Sequence, residues 1–276
     1  MRTLGKNIKL TETNYTISYH DEGPDGKPVI IFIHGFPFNK SMWNVQTEAL
    51  KESFRVITYD VRGHGDTDSG IGDFSIDLFV DDLLFLMNSL KLDKVVLCGL
   101  SMGGYIALNA IKKYSERFEA LVLCDTQCVA DTPEQKEKRM KTIESIQENG
   151  VEKYADESIK NLFTSQSIIQ KHEGIDIIKD MIINTTVKTL CSTLLALSTR
   201  RETCSNLSDI NIPVLIMVGK EDKITPPEAA QFMHEKIENS ILIILDHAAH
   251  VANIENSLEF NHQLKNFLHQ FVESSL

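Results

Sequence analysis

Residues 95–113 read VVLCGLSMGGYIALNAIKK, and the fold turns on them. The first five residues form a near-continuous apolar run of strand length, and those from Gly104 onward have helical character. Between them lies Gly99-Leu100-Ser101-Met102-Gly103, a G-x-S-x-G at a strand-to-helix junction. A serine on so sharp a turn must adopt a strained, positive φ, which lifts its hydroxyl clear of the strand. The backbones close in on each other there, so the positions two before and two after must lack bulk; they are Gly99 and Gly103. The helix that follows aims its free N–H groups and positive end at the serine. A bare G-x-S-x-G is a weak signal, but this one ends an apolar strand run and is followed by a further glycine, so Ser101 is the candidate nucleophile.

Working outward, VIIFI (29–33), RVITYD (55–60) and ALVLCD (120–125) have the near-continuous apolar character of strands buried on both faces of a parallel sheet. Between strands, residues 75–92 place Ile76, Phe79, Leu83, Leu86, Met87 and Leu90 on one helical stripe, with Ser75 as N-cap and Phe74 stapling onto Phe79. Strands and helices alternating at this spacing mean an α/β chain with a mostly parallel sheet. Residues 6–21 have the alternation of an antiparallel hairpin at its edge.

The texture changes after Asp125. Residues 126–207 are charged and helical without strong strand runs, with a helix start at Asp131 and Pro133 and breaks at Gly150 and Gly174. Strand character returns at IPVLIMVG (212–219) and ILIILD (241–246). Thr225-Pro226-Pro227-Glu228 reads as a capping box, and Asn256 to Glu259 has similar spacing before a last helix with Phe260, Leu264, Phe267 and Phe271 on its core face. The expected organisation is a core in two parts, 1–125 and 208–276, interrupted by a helical lid at 126–207.

The chain has 276 residues, 42% hydrophobic and 24% charged, enough for a sizeable core. A net charge of −11 argues against a nucleic-acid or anionic-membrane surface, which wants clustered Lys and Arg. The start, MRTLGKNIKL, lacks the apolar core of a signal peptide, and no apolar run is long enough to span a bilayer, so a cytoplasmic protein is expected. Cys98, Cys124, Cys128, Cys191 and Cys204 form no C-x-x-C pair, and free thiols are expected. There is no H-E-x-x-H and no ligand spacing for a metal. Gly63 and Gly65 lack the third glycine of a dinucleotide fingerprint. No cofactor is expected.

Four further segments carry chemistry-bearing groups: HGFPFNKSMW (34–43), YDVRGHGDTD (59–68), VLIMVGKEDKITPP (214–227) and the DHAAHV around His250. Together with GLSMGGYIAL (99–108), and in this order, they resemble the α/β-hydrolase superfamily. The flavour is that of its esterase and enol-lactonase-like branch with a helical lid. The resemblance spans nearly the whole chain outside the insertion.

It implies a Ser–acid–His order of catalytic groups. A serine hydroxyl is a poor nucleophile until a base takes its proton, and the base needs a carboxylate to fix its tautomer. The family pattern puts the acid at Asp222, with Glu221 and Asp125 as competitors, and the base at His250 rather than His247. It gives the oxyanion-binding amides to Phe36 and Met102, and leaves His34 to brace its loop. Thr67, Ala249 and Asn256 depart from the pattern, where serine, glycine and proline are commoner; none of these removes a chemical group. A serine in the elbow argues against dehalogenases and epoxide hydrolases, whose nucleophile is a carboxylate.

The implied activity is cleavage of a carboxylic ester, thioester or lactone with a small to medium apolar acyl group. The expected partner is a small-molecule ester-like substrate, with no nucleic acid and no membrane and with the oligomeric state left open. Leu190, Leu194, Leu195 and Leu197 would mostly pack the lid onto the core, with one or two facing the acyl group. A carbon–carbon hydrolase or a ligand receptor on the same fold are the alternatives.

Overall fold

The computed structural model describes residues 5–10 and 15–272. Strands β1 (Lys6–Leu10) and β2 (Tyr15–Glu22) form the expected edge hairpin. They are followed by β3 (Val29–Ile33), α1 (Asn44–Leu50), β4 (Arg55–Tyr59), α2 (Ile76–Ser89), β5 (Val95–Leu100), α3 (Met102–Tyr114) and β6 (Phe118–Cys124). Five helices intervene before the next strand: α4 (Pro133–Asn149), α5 (Val151–Leu162), α6 (Ser165–Ile169), α7 (Gly174–Ile183) and α8 (Val187–Ser198). The chain closes with β7 (Val214–Gly219), α9 (Pro227–Lys236), β8 (Ser240–Leu245), α10 (Ala252–Glu255) and α11 (Ser257–Phe271).

The eight strands form one sheet in the order β1-β2-β4-β3-β5-β6-β7-β8. β1 and β2 run antiparallel and every pairing from β4 to β8 is parallel. Alternate residues of each strand face opposite layers. Ile31, Ile33 and Leu97 join the core under α2, α3 and α9, while Ile30, Phe32, Val96 and Cys98 join the one under α1, α10 and α11. Burial on both faces is why these strands read as continuous apolar runs.

The local signals hold where short-range chemistry decides. Ser75 Oγ accepts the N–H of Leu78 at 3.0 Å, and the rings of Phe74 and Phe79 meet at 5.6 Å. Other signals were diverted by tertiary partners. The cap of α4 is Thr132, in a reciprocal box with Gln135, because Asp131 is engaged by Arg139 and Arg200. Asn256 makes no side-chain cap; its amide donates to the Asp246 carbonyl instead.

The expectation of five free thiols is corrected at one pair. Cys128 and Cys204 form a disulfide across 76 residues of sequence, joining the two stems of the helical insertion. The Thr203 N–H donates to the Cys128 carbonyl at 2.8 Å, so backbone pairing brings the stems together beside the bond. Such a pairing leaves no trace in local spacing. Cys98, Cys124 and Cys191 are free and buried. Among the described residues no single helix is long and apolar enough to cross a membrane.

Candidate active site

The nucleophile elbow has the strain its sequence demands: Ser101 sits at φ 54°, ψ −113°. A Cβ on Gly99 would lie 2.2 Å from the Gly103 carbonyl oxygen, and one on Gly103 would lie 2.3 Å from that of Ile33. The two glycines are therefore required by close approach of backbone to backbone. Gly104 has its own reason, since a Cβ there would strike Thr126, whose hydroxyl donates to the Ser101 carbonyl at 2.8 Å. Sequence reading had no signal for Thr126, because the contact crosses from β6 to the elbow.

Parallel order sets the ends of β5, β7 and β8 along one edge of the sheet, with β6 between β5 and β7, and the loops that leave them converge. His250 Nε2 lies 2.9 Å from Ser101 Oγ, and His250 Nδ1 lies 2.8 Å from Asp222 Oδ2. The three side chains form one hydrogen-bonded chain, and His250 and Asp222 are buried. Of the competing residues, Glu221 is exposed beside Asp222 and His247 is exposed at the strand end. Asp125 is buried close by, but its oxygens accept the N–H groups of Gly219 at 2.8 Å and Ala252 at 3.2 Å. It ties the acid loop to the histidine loop.

Thr225 is the residue that sequence reading misassigned. Its hydroxyl donates to Asp222 Oδ2 at 2.8 Å rather than opening a capping box, and α9 begins after Pro226 without a side-chain cap. With the N–H groups of Ile224 and Thr225 on Oδ1, Asp222 is held by three donors besides the histidine.

The charges follow from these contacts. Burial opposes ionisation of Asp222, but His250 and the Thr225 donors outweigh it and hold the carboxyl below its ordinary value. Burial likewise works against a charged His250, yet the charge and hydrogen bond of Asp222, with Asp125 behind, hold it above the usual imidazole value. Asp125 goes the other way: burial first, then the negative charge of Asp222, push it up to about 8.

His34 braces its loop as expected. Its Nδ1 donates to the Gly35 carbonyl at 2.8 Å and its Nε2 accepts the Val61 N–H at 2.9 Å, a pairing that requires the neutral ring. Burial holds it neutral, well below its ordinary value. Lys40, six residues on, ties the same loop to Asp60 through its backbone N–H at 2.7 Å and its ammonium at 2.6 Å. Phe36 lies half-buried in this braced segment, and Met102 opens α3, where its N–H has no intrahelical acceptor. Among the described residues no three or more His, Cys, Asp or Glu side chains cluster to hold a metal ion.

The insertion covers this end of the sheet. Leu190, Cys191 and Leu194 of α8 pack with Ile143 and Ile146 of α4 against Phe36. Leu197 is buried against the core and Leu195 is exposed. Thr185 donates to the Pro37 carbonyl at 3.3 Å and Thr189 to that of Gly63 at 3.0 Å.

Residues 28–166 match the family model described as alpha/beta hydrolase fold, and 178–270 match that of the TAP-like proteins. This chain belongs to the alpha/beta hydrolase family. It is 27% identical to 3-oxoadipate enol-lactonase 2 of Acinetobacter baylyi, over 95% of this chain and 96% of that one. A thermophilic esterase from Thermogutta terrifontis superposes with a TM-score of 0.90 at 32% identity, covering 98% of this chain and 99% of that one. The enol-lactonase from Burkholderia xenovorans superposes with a TM-score of 0.88 at 26% identity, covering 96% and 100%. The protein is a serine hydrolase of the alpha/beta hydrolase type.

Proposed function

We propose that this hydrolase cleaves a small-molecule carboxylic ester or lactone with a small to medium apolar acyl part, through an acyl-enzyme on Ser101. The observation that carries the reading is the unbroken hydrogen-bonded line from Ser101 Oγ through His250 to Asp222. Ser101 Oγ attacks the carbonyl carbon as its proton passes to His250 Nε2, and Asp222 steadies the imidazolium that forms. The Phe36 and Met102 amides receive the oxyanion. The intermediate collapses, the leaving alkoxide takes the proton from Nε2, and the acyl group stays on Ser101. Water then gives a proton to His250 and attacks the ester, releasing the acid and restoring the serine.

Residues 126–207 serve as the lid. Ser101 is 8% and His250 2% exposed, and helices of this segment pack against Phe36 beside them. Phe36 with Leu190 and Leu194 supplies the apolar wall for the acyl group. The likeness to proteins named enol-lactonases favours a lactone as a second form of the substrate, in which the leaving hydroxyl remains tethered to the acyl chain.

The test is hydrolysis of p-nitrophenyl esters of increasing acyl length, with simple and enol lactones alongside, by wild type and Ser101→Ala. Multiple turnover that disappears in the variant supports the reading, and the length profile sizes the pocket. Equal rates for the two proteins on every substrate would remove Ser101 from the chemistry.

A further inference from the structure

The loop that carries His250 is held on both sides by buried carboxylates. From the core, Asp125 takes the Ala252 N–H. From the other side, Glu255 at the end of α10 folds back over the loop and is itself buried. Its Oε2 accepts the N–H of Ala249, the residue before His250, at 2.7 Å. Its Oε1 accepts the N–H of Thr164, at the junction of α5 and α6 in the insertion, at 2.8 Å. One residue pair away, the His250 N–H donates to the Leu162 carbonyl at 3.1 Å. Leu162 and Thr164 of the insertion therefore meet residues 249–250 through one direct hydrogen bond and one bridging carboxylate. Apolar packing follows the same line, with Leu162 and Phe163 in one cluster with Ala248, Val251 and Ala252. A buried carboxylate costs several kcal/mol unless donors meet it. Here one donor comes from each segment, so neither segment alone satisfies it.

We propose that Glu255 is a positioning residue that bolts the α5–α6 junction to the loop of the catalytic base, so that seating of the insertion and alignment of His250 are one event. The inference rests on the reading of His250 as base. If the bolt opens, Leu162 and Thr164 withdraw together, and the His250 backbone loses its N–H partner and the support at Ala249. A shift of about 1 Å at a catalytic group is enough to cost up to about a hundredfold in rate.

The substitution Thr164→Pro removes the one N–H that Glu255 Oε1 accepts. The backbone already suits proline: Thr164 sits at φ −63° and Phe163 is extended at φ −116°, ψ 155°. Thr164→Val loses the same hydroxyl but keeps the N–H. Glu255→Gln keeps an acceptor for Ala249 and turns an NH2 toward Thr164, donor against donor. In the double variant that clash is gone.

The measurement is steady-state kinetics on a p-nitrophenyl ester, with thermal melting as the check on folding. The expected results are kcat lowered at least about tenfold in Thr164→Pro and in Glu255→Gln, with KM within about twofold. Thr164→Val should be several times faster than Thr164→Pro. The double variant should be no slower than Thr164→Pro alone, the mark of a shared interaction. Full kcat in folded Thr164→Pro, or strictly multiplying losses in the double variant, would overturn the bolt. Should Thr164→Pro fail to fold, Glu255→Gln decides alone: folded protein with undiminished kcat overturns the proposal. Ser101→Ala run beside them separates the two levels: undiminished turnover there sinks the reading beneath, whereas an inactive Ser101→Ala with a full-speed Thr164→Pro sinks the bolt only.

Discussion

Helices α5 and α6 reach the catalytic end of the sheet through a few named hydrogen bonds: Leu162 to His250, and Thr164 through Glu255 to Ala249. Helices α4 and α8 reach it mainly through side-chain bulk, with Ile143, Ile146, Leu190 and Leu194 packed against Phe36 beside the single bond from Thr189 to Gly63. The same inserted segment thus meets the site in two manners. Hydrogen bonds are directional and fix a position to tenths of an ångström, whereas apolar packing fills a volume and tolerates swaps of similar size. On the proposed mechanism, damage on the first side should slow every substrate alike, and damage on the second should change which substrate is preferred.

The largest effect belongs to the charge that the base side serves. Asp222→Asn leaves the shape intact but breaks the tautomer control of His250, and kcat should fall about 10⁴-fold for short and long esters in equal measure. In wild type, kcat/KM should be lost as pH falls through the His250 pKa, which lies above the ordinary imidazole value because Asp222 outweighs burial. With Asp222 neutralised, burial dominates, so what activity remains should persist to lower pH. Asp125→Asn should leave that limb nearly in place, because a carboxyl pushed up to about 8 is already largely protonated below that pH. The loss of rate should be far smaller, since its oxygens serve Gly219 and Ala252 rather than His250. A pH–rate profile of the three proteins checks both statements. Equal losses in the two variants would mean that the carboxylates share the role.

Much of this comparison was legible before any coordinates. Ser101, its two flanking glycines and the parallel strands around them follow from local rules: a strained turn needs close approach, and doubly covered strands read as apolar runs. Asp222 and His250 followed from the resemblance to the α/β-hydrolase pattern, which chose them over Glu221, Asp125 and His247. The partners that hold them did not. Thr225 carries a sequence pattern that suits a helix cap as well as a carboxylate donor, and only the closeness of β7 and β8 decides between them. Glu255 stands where the family pattern has an acidic residue after the histidine. Its bond to Thr164, like those of Thr126 and the Cys128–Cys204 pair, nonetheless acts across 91, 25 and 76 residues respectively, and no local period encodes such pairings.

The disulfide is the next step down in size, because it joins the stems of the insertion and touches neither manner of contact. Closing a 76-residue loop restricts the unfolded chain, and removing the bond by Cys128→Ser with Cys204→Ser should cost about 2–4 kcal/mol of stability. Well below the melting temperature, both the rate and the acyl-length preference should stay near wild type. Denaturant melts check the first part, and thiol titration of unfolded protein without reductant should count three free cysteines. Five would mean that the chain as isolated is reduced, as a cytosolic setting favours.

The smallest effect is also the sharpest test of the packing side. Ile143 is buried in the cluster that meets Phe36, and Ile143→Val removes one methylene there. The cost in stability should be about 0.5–1.5 kcal/mol, readable as a shifted denaturant midpoint at constant slope. If this cluster is the acyl wall, the vacated space favours an acyl chain about one methylene longer. The ratio of kcat/KM for long over short esters should then rise by about 1 kcal/mol, roughly fivefold, with little change in the pH limb. The base side predicts the opposite for its own variants, a lowered kcat with an unchanged ratio. A length ratio that moves with Glu255→Gln and stays fixed with Ile143→Val would invert the assignment of the two sides.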